Sequence, residues 1–214
     1  RQLVTIDRLE LIGDLGHVML NGVASLEPEG LLDVEALFEG VQIDFLSPFL
    51  LPRGNVTGTA DGFFSLTGSP ESPLLNGLFS TADMQYSNEG QVNQLGTVSL
   101  SMNYDEQEFR VPALSLSTPL GSASASIAYP IDLSWGGTEI DTGDREFTAS
   151  LDMDHLSVAP LRNFFPSIPM DLDGTINGHV TVNGPVARPE DLAGTISLDS
   201  LRLFGLQNEL VNED

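Results

Sequence analysis

The sequence contains no cysteine and no lysine, and its 214 residues include a single tryptophan. Without cysteine the chain has no disulfides, thiolate metal ligands or cysteine nucleophiles. Without lysine it has no phosphate-binding P-loop, which needs a lysine after its glycines. No run of residues approaches the ~18 apolar positions of a membrane-spanning helix, and no signal-peptide pattern occurs. Because the chain begins at Arg1 rather than Met and opens directly in strand-like sequence, we interpret it as an excised segment, and any anchor or export signal of its parent would lie outside it.

Positive charge is also scarce. Eight arginines face 31 acidic residues, which gives a formal net charge of −23. Such a chain is not expected to bind nucleic acid, because nothing offsets the repulsion by phosphates. Two interpretations of the acidity stay open: a solvated surface that keeps a β-rich protein soluble, and adaptation to a salty medium.

Catalytic motifs are missing as well. The sequence contains neither G-x-S-x-G nor H-E-x-x-H. His17, His155 and His179 are far apart in sequence, so we expect strand or loop residues rather than metal ligands. The acidic stretches Asp171–Gly174 and Glu139–Asp144 lack the arrangement of an EF-hand loop, and calcium binding there is not expected. A pair of acids suited to glycoside hydrolysis stays open, although one tryptophan offers little surface for sugar stacking. We expect no enzyme activity, no cofactor and no metal.

Apolar and polar residues alternate along most of the chain. This alternation is typical of antiparallel strands that are wetted on one face. Strand patterns recur about every 8–12 positions, and turns are predicted between them at "YDEQEF" (104–109), "STPLGS" (117–122) and "WGGTEIDTGDRE" (135–146). The sequence therefore predicts an all-β fold of roughly a dozen strands. Two short helices are predicted, one within residues 46–52 and one within residues 157–168. Ser47 and Ser157 are their predicted N-caps, and Pro52 and Pro166 end them.

A pattern of glycines and a proline occurs twice. The two copies are Gly58, Gly62, Gly68, Pro73 and Gly77, and Gly174, Gly178, Gly184, Pro189 and Gly194. The first four positions are shifted by 116 residues and the last by 117. Within a strand these glycines would share one face, where glycine marks a bend, a bulge or a close approach of backbones. We expect each proline to interrupt the ladder in a loop, before the next strand resumes at Gly77 or Gly194.

The repeat extends upstream of the glycines. Five apolar positions match at a shift of 115: Phe38, Val41, Ile43, Leu46 and Phe49 correspond to Met153, Leu156, Val158, Leu161 and Phe164. Leu15-Gly16 matches Leu120-Gly121 at a shift of 105. We divide the chain into the C-terminal part of one repeat (1–54), one full repeat (55–170) and the truncated start of the next (171–214). A long repeated unit implies stacking along an axis, with an apolar face that continues from copy to copy.

The order of these features resembles a known family. The order is a short apolar helix, G-x-x-x-G, a strand, a glycine, a loop with proline, a glycine and a further strand. This order is similar to that of the TamB branch of the AsmA-like proteins. Residues 41–85 and 156–203 carry the resemblance, a little under half of the chain. The absence of lysine departs from what we expect of the family and leaves the charge pattern of the outer face open.

The resemblance implies a long periplasmic protein of double-membrane bacteria, anchored in the inner membrane by a part outside this segment. It implies an elongated, twisted antiparallel sheet curled into an open, taco-like groove. It further implies phospholipid transport between the membranes, and outer-membrane protein assembly and secretion with an Omp85-type outer-membrane partner. The family offers no catalytic residues to carry over.

The residues themselves agree with one part of this expectation. A lipid conduit needs continuous apolar surface, which stacked period-two strands supply. The predicted lining residues are Val98, Leu100, Met102, Leu114, Leu116, Ile127, Leu151, Val180, Val182, Ile196 and Leu198. The same residues could instead fill the closed core of a sandwich, or that of an extracellular repeat adhesin or β-solenoid that binds no lipid.

Overall fold

A computed structural model describes residues 3–44, 47, 54–88, 91–105, 107–119, 121–134, 145–157, 173–204 and 210–213. These residues form an all-β structure of twelve strands in a single antiparallel sheet, which confirms the predicted fold class. The strands are β1 Leu3–Gly13, β2 Gly16–Ser25, β3 Leu32–Gln42, β4 Asn55–Gly68, β5 Pro73–Asn88, β6 Gln91–Asp105, β7 Glu108–Thr118, β8 Gly121–Pro130, β9 Glu146–Ser157, β10 Asp173–Pro185, β11 Ala193–Phe204 and β12 Leu210–Glu213. A 3-10 turn, Pro189–Asp191, precedes β11.

The strands lie in the sheet in the order in which they follow along the chain. Each strand makes its substantial contacts with its immediate neighbours, and β1 does not pair with β12. The sheet is therefore not closed, and it curls into an open groove. The predicted domain boundaries fall in the β3–β4 and β9–β10 connections.

Short turns of the predicted kind join several strands. In the "YDEQEF" stretch Asp105 pairs with Glu108, so β6 and β7 are joined by two residues. In "STPLGS" Thr118 pairs with Gly121 in the same way. Of the third predicted turn region, residues 135–146, only Arg145 and Glu146 are described, and Glu146 is the first residue of β9.

The two predicted helices lie almost wholly outside the described residues. Of the first, Ser47 is described: its buried hydroxyl donates to Val56 O at 3.0 Å and accepts from Val56 N at 2.8 Å. Of the second, Ser157 is described, and it is the last residue of β9, where it pairs with Thr175.

The two copies of the repeat have the same strand register. Phe38 pairs with Gly62, and the equivalent Met153 pairs with Gly178. Both ladders then shift at the next positions, so that Val41 pairs with Ala60 and Leu156 with Ile176. Gly58 and Gly174 have φ values of +143° and +148°, a region that side chains disfavour, which explains glycine at this position in both copies.

The last two positions of the sequence pattern differ from expectation. Pro73 does not lie in a loop, because it is the first residue of β5 and pairs with Gly68. Gly77 pairs with Phe64, but Gly194 pairs with Val182 rather than with Val180, the residue equivalent to Phe64. The β10–β11 connection is longer than the β4–β5 connection and contains the 3-10 turn that begins at Pro189. The β10–β11 pairing is therefore shifted by two residues relative to the β4–β5 pairing, and a shift of two keeps Gly194 on the same face of the sheet.

The buried core of the described residues is small and lies at one end of β4–β6. It consists of Ile43, Val56, Ala60, Tyr86 and Leu95. Ile43 follows β3 and donates its backbone N–H to Gly58 O at 3.1 Å, which holds the β3–β4 connection against this end of the sheet. Most of the sheet is therefore stabilised by cross-strand pairs and not by a second layer.

Candidate functional site: an uncovered apolar face

The alternation predicted from sequence becomes one continuous face in the sheet. Residues that pair across neighbouring strands point to the same side, so each chain of paired residues forms a row that crosses the sheet. The longest row crosses eleven strands and consists of Leu11, Val18, Phe38, Gly62, Phe79, Leu100, Leu114, Ala125, Leu151, Val180 and Ile196. Every position in it is apolar or glycine.

Three shorter rows lie beside the long one. On β1–β6 the row is Leu9, Leu20, Ala36, Phe64, Gly77 and Met102. On β6–β11 it is Val98, Leu116, Ala123, Met153, Gly178 and Leu198, and on β7–β11 it is Val111, Ile127, Ala149, Val182 and Gly194. We call these four rows the apolar face. No charged residue occurs in them.

All eleven predicted lining residues lie on the apolar face. None of them is buried: nine are half-buried, whereas Leu198 and Ile196 are 38% and 71% exposed. Residues in a sealed core would be almost fully removed from water. The exposure of these side chains therefore fits an uncovered face better than the interior of a sandwich.

The glycines of the apolar face make room for large neighbours. A Cβ atom at Gly77 would lie 2.8 Å from Phe64 Cδ1 and 2.9 Å from Met102 Cγ. A Cβ atom at Gly62 would lie 3.4 Å from Phe79 Cδ2, on the side where Phe38 also lies. The Phe38 and Phe64 rings meet edge to face with centroids 5.6 Å apart. Glycine thus lets aromatic rings lie across the sheet surface.

The two ends of the strands are partly covered. At one end the small core lies against the β3–β4 connection. At the other end Leu133, three residues beyond β8, donates its N–H to the Tyr104 hydroxyl at 2.9 Å. Between these ends the described strands have no second sheet over them.

The opposite face carries small polar and acidic side chains. One row on it consists of Ser80, Ser99, Ser115, Ser124, Asp152, His179 and Ser197. His179 Nδ1 lies 2.6 Å from Asp152 Oδ1, and His155 Nδ1 lies 2.6 Å from Asp154 Oδ1. No group of three or more metal-ligating side chains is found among the described residues.

His17 lies between two carboxylates on this polar face. Its Nδ1 is 3.0 Å from Glu39 Oε2 and its Nε2 is 3.0 Å from Glu10 Oε1. The hydrogen bond with Glu39, followed by that with Glu10, raises the pKa of His17 above its ordinary value. Arg8, 2.8 Å from Glu10, is the main cause that lowers the pKa of Glu10. Because both ring nitrogens are occupied, this arrangement titrates a proton and is not set up to hold a metal.

The backbone geometry of the polar face was not predicted from the sequence. Gly40, with φ +58°, and His155, with φ +49°, occupy the same bulge position in the two copies. Gly40 donates its N–H to Asp61 Oδ1, and His155 donates its N–H to Asn177 Oδ1. The shift of 115 residues aligns Gly40 with His155, and the shift of 116 aligns Asp61 with Asn177. The equivalence of the two pairs could therefore have been found from the repeat in the sequence.

Comparison with known proteins identifies no relative. No family model, no curated protein and no solved structure matches the chain. Among the described residues no helix is long and apolar enough to cross a membrane. The resemblance to the TamB branch therefore stays a prediction from the sequence.

Proposed function

We propose that this chain is a segment of a TamB/AsmA-like envelope protein, and that its apolar face conducts phospholipid between the two membranes. The observation that carries the proposal is the row of eleven apolar or glycine positions, without charge and without a covering sheet. Neighbouring strands are ~4.8 Å apart, so this row is about 48 Å long. A lipid tail, about half of a ~30 Å hydrocarbon core, is shorter than the row.

The chemistry of the two faces suits this role. Each methylene group that leaves water for an apolar surface gains ~0.8 kcal/mol, and this gain has no directional requirement. A charged group in the path would interrupt such a surface, since a tail offers it no partner. The four rows contain no charge, whereas the row from Ser80 to Ser197 on the other face carries hydroxyls and a carboxylate.

The wider setting follows from the same proposal. The parent protein would lie in the periplasm, anchored in the inner membrane by a part outside this segment. It would support outer-membrane protein assembly and secretion together with an Omp85-type outer-membrane protein. The proposed role is structural and non-enzymatic.

A charge placed on the apolar face tests the proposal. The change Ala125→Glu puts a carboxylate into the middle of the long row, whereas Ser124→Glu puts the same group on the polar face of the same strand. We expect the wild-type chain to bind a fluorescent phosphatidylcholine and to co-purify with phospholipid detected by mass spectrometry. Ala125→Glu should weaken lipid binding by about tenfold, and Ser124→Glu should leave it unchanged.

Two results would contradict the conduit. A preparation without lipid and without apolar surface accessible to a fluorescent dye would favour the adhesin or β-solenoid with a closed core. Equal lipid binding by both variants would show that lipid does not lie on the apolar face. Thermal unfolding of both variants checks that they fold.

A further inference from the structure

The polar face carries one apolar row of its own. Met19 pairs with Leu37, Leu37 with Phe63, and Phe63 with Leu78. We call these four residues the outer row. Phe63 is 36% exposed and Leu78 is 60% exposed, while Met19 and Leu37 are half-buried. The row ends at Glu10 on one side and at Ser101 on the other.

The second copy of the repeat shows that the sheet does not require this row. In the second copy the positions equivalent to the outer row are occupied by Ser124, Asp152, His179 and Ser197. These four residues pair with one another across the strands in the same order. All four equivalents are polar, although both copies form the same strands and the same bulge. Four apolar side chains directed to water in one copy alone therefore point to a function specific to that copy.

The surroundings of the outer row are acidic. Glu35 and Glu39 flank Leu37 along β3, and both are exposed. Asp61 is two residues from Phe63 on β4 and is also exposed. Strands β2–β5 contain no arginine, and the chain has no lysine. Arg8 on β1 is paired with Glu10, the residue at which the row ends.

A depression lies beside the exposed end of the row. It has a volume of about 370 Å³ and is lined by Asp61, Phe63, Leu78, Ser80, Ser101 and Ala113. Its walls combine two large apolar side chains with hydroxyls and one carboxylate. Such a surface accepts an apolar side chain while a neighbouring cation meets the acid.

We propose that the outer row is a docking surface for a cationic amphipathic helix of a partner protein. The row spans three strand spacings, about 14 Å. Helix residues at i, i+4, i+7 and i+11 lie on one face and span ~16 Å, so one helix laid across the strands supplies an apolar side chain to each of them. Arginine or lysine beside these positions would meet Glu35, Glu39 and Asp61.

Charge disfavours the other occupants of such a surface. A second copy of this chain brings the same net charge of −23 and the same acidic residues, so association would be repulsive. An anionic membrane surface is repelled in the same way. A basic helix gains from both the apolar row and the carboxylates around it.

The proposal is tested with a dye-labelled 18-residue helical peptide of leucine and lysine, with leucine at the four facing positions. Binding to the full chain is measured by fluorescence anisotropy at low and high salt. The double variant Phe63→Ser/Leu78→Ser introduces the residue type found at Ser197 and should weaken binding by about tenfold. The variant Asp61→Asn/Glu35→Gln should weaken it severalfold and reduce its salt dependence.

Ile196→Ser is the matched control, since it removes an exposed apolar side chain from the opposite face. We expect it to bind the peptide as the wild type does. A loss of binding in Ile196→Ser equal to that in the double variant would place the peptide on the apolar face and overturn the proposal. The proposal would also be overturned if the peptide fails to bind while the wild-type chain self-associates, or binds zwitterionic vesicles, and the double variant does not.

Discussion

Gly40 donates its backbone N–H to Asp61 Oδ1 at 2.9 Å, across the bulge between β3 and β4. The pair His155 and Asn177 makes the equivalent bond between β9 and β10. In both copies a residue with positive φ turns its N–H out of the ladder, and a side chain on the next strand accepts it. A polar side chain thus satisfies a donor that the bulge would otherwise leave without a strand partner.

The first prediction concerns His155, which has the left-handed backbone conformation that Gly40 has in the other copy. A side chain in this region costs roughly 1–2 kcal/mol relative to glycine. We expect His155→Gly to raise the free energy of unfolding by about 1 kcal/mol, as measured by urea denaturation.

Gly40→Ala is the reverse experiment. A Cβ atom there would have no neighbour within 4 Å, so the substitution adds backbone strain without a steric clash. It should lower the free energy of unfolding by about 1 kcal/mol. Two neutral variants would show that the bulge does not hold these φ values in solution.

The second prediction separates the two roles of Asp61. Asp61→Ala removes the acceptor of the Gly40 N–H and should cost ~0.5–1.5 kcal/mol of stability. Asp61→Asn keeps an oxygen in place, as Asn177 does in the second copy, and should be neutral. Thermal unfolding of the two variants measures the difference; a loss of stability in Asp61→Asn equal to that in Asp61→Ala would contradict the proposed bond.

The period-two pattern predicted the sheet and its faces correctly because alternation is a local property of the chain. Leu100 and Leu151 were both placed on the apolar face, although 51 residues separate them in sequence. The register of a long hairpin is different, since it depends on the connection. The single extra residue before Gly194 did not reveal that the β10–β11 pairing is moved by two positions.

The outer row was missed for a related reason. Consecutive large apolar residues, such as Leu37-Phe38 and Phe63-Phe64, break the alternation, so the pattern alone does not show which residue of each pair lies on which face. The register shows that Phe64 and Phe38 share the apolar face while Phe63 and Leu37 share the other. Only the pairing of neighbouring strands turns these dipeptides into two separate rows.

The third prediction concerns pH. Because Glu39 and Glu10 raise the pKa of His17 in the folded state above its ordinary value of 6.5, protonated His17 stabilises the fold. This contribution is fully present below the unfolded pKa and is lost as the pH rises through the folded pKa. We expect the urea midpoint to fall modestly between about pH 6 and pH 8. In His17→Gln this part of the pH dependence should disappear, and an unchanged profile would contradict the assignment.

The last prediction concerns Thr81, which replaces a missing backbone partner in the β5–β6 ladder. The ladder shifts between Ser80 and Met84, and Thr81 Oγ1 accepts the Val98 N–H at 2.9 Å and donates to Val98 O at 3.4 Å. Thr81 is 5% exposed, so water does not readily replace these bonds. Thr81→Val keeps the shape of the side chain but leaves both backbone groups without it, and should lower the free energy of unfolding by ~1–3 kcal/mol. The same change at the exposed Thr195 should cost less than ~0.5 kcal/mol, and an equal loss at both positions would show that the buried hydrogen bonds of Thr81 stabilise the fold no more than an exposed hydroxyl does.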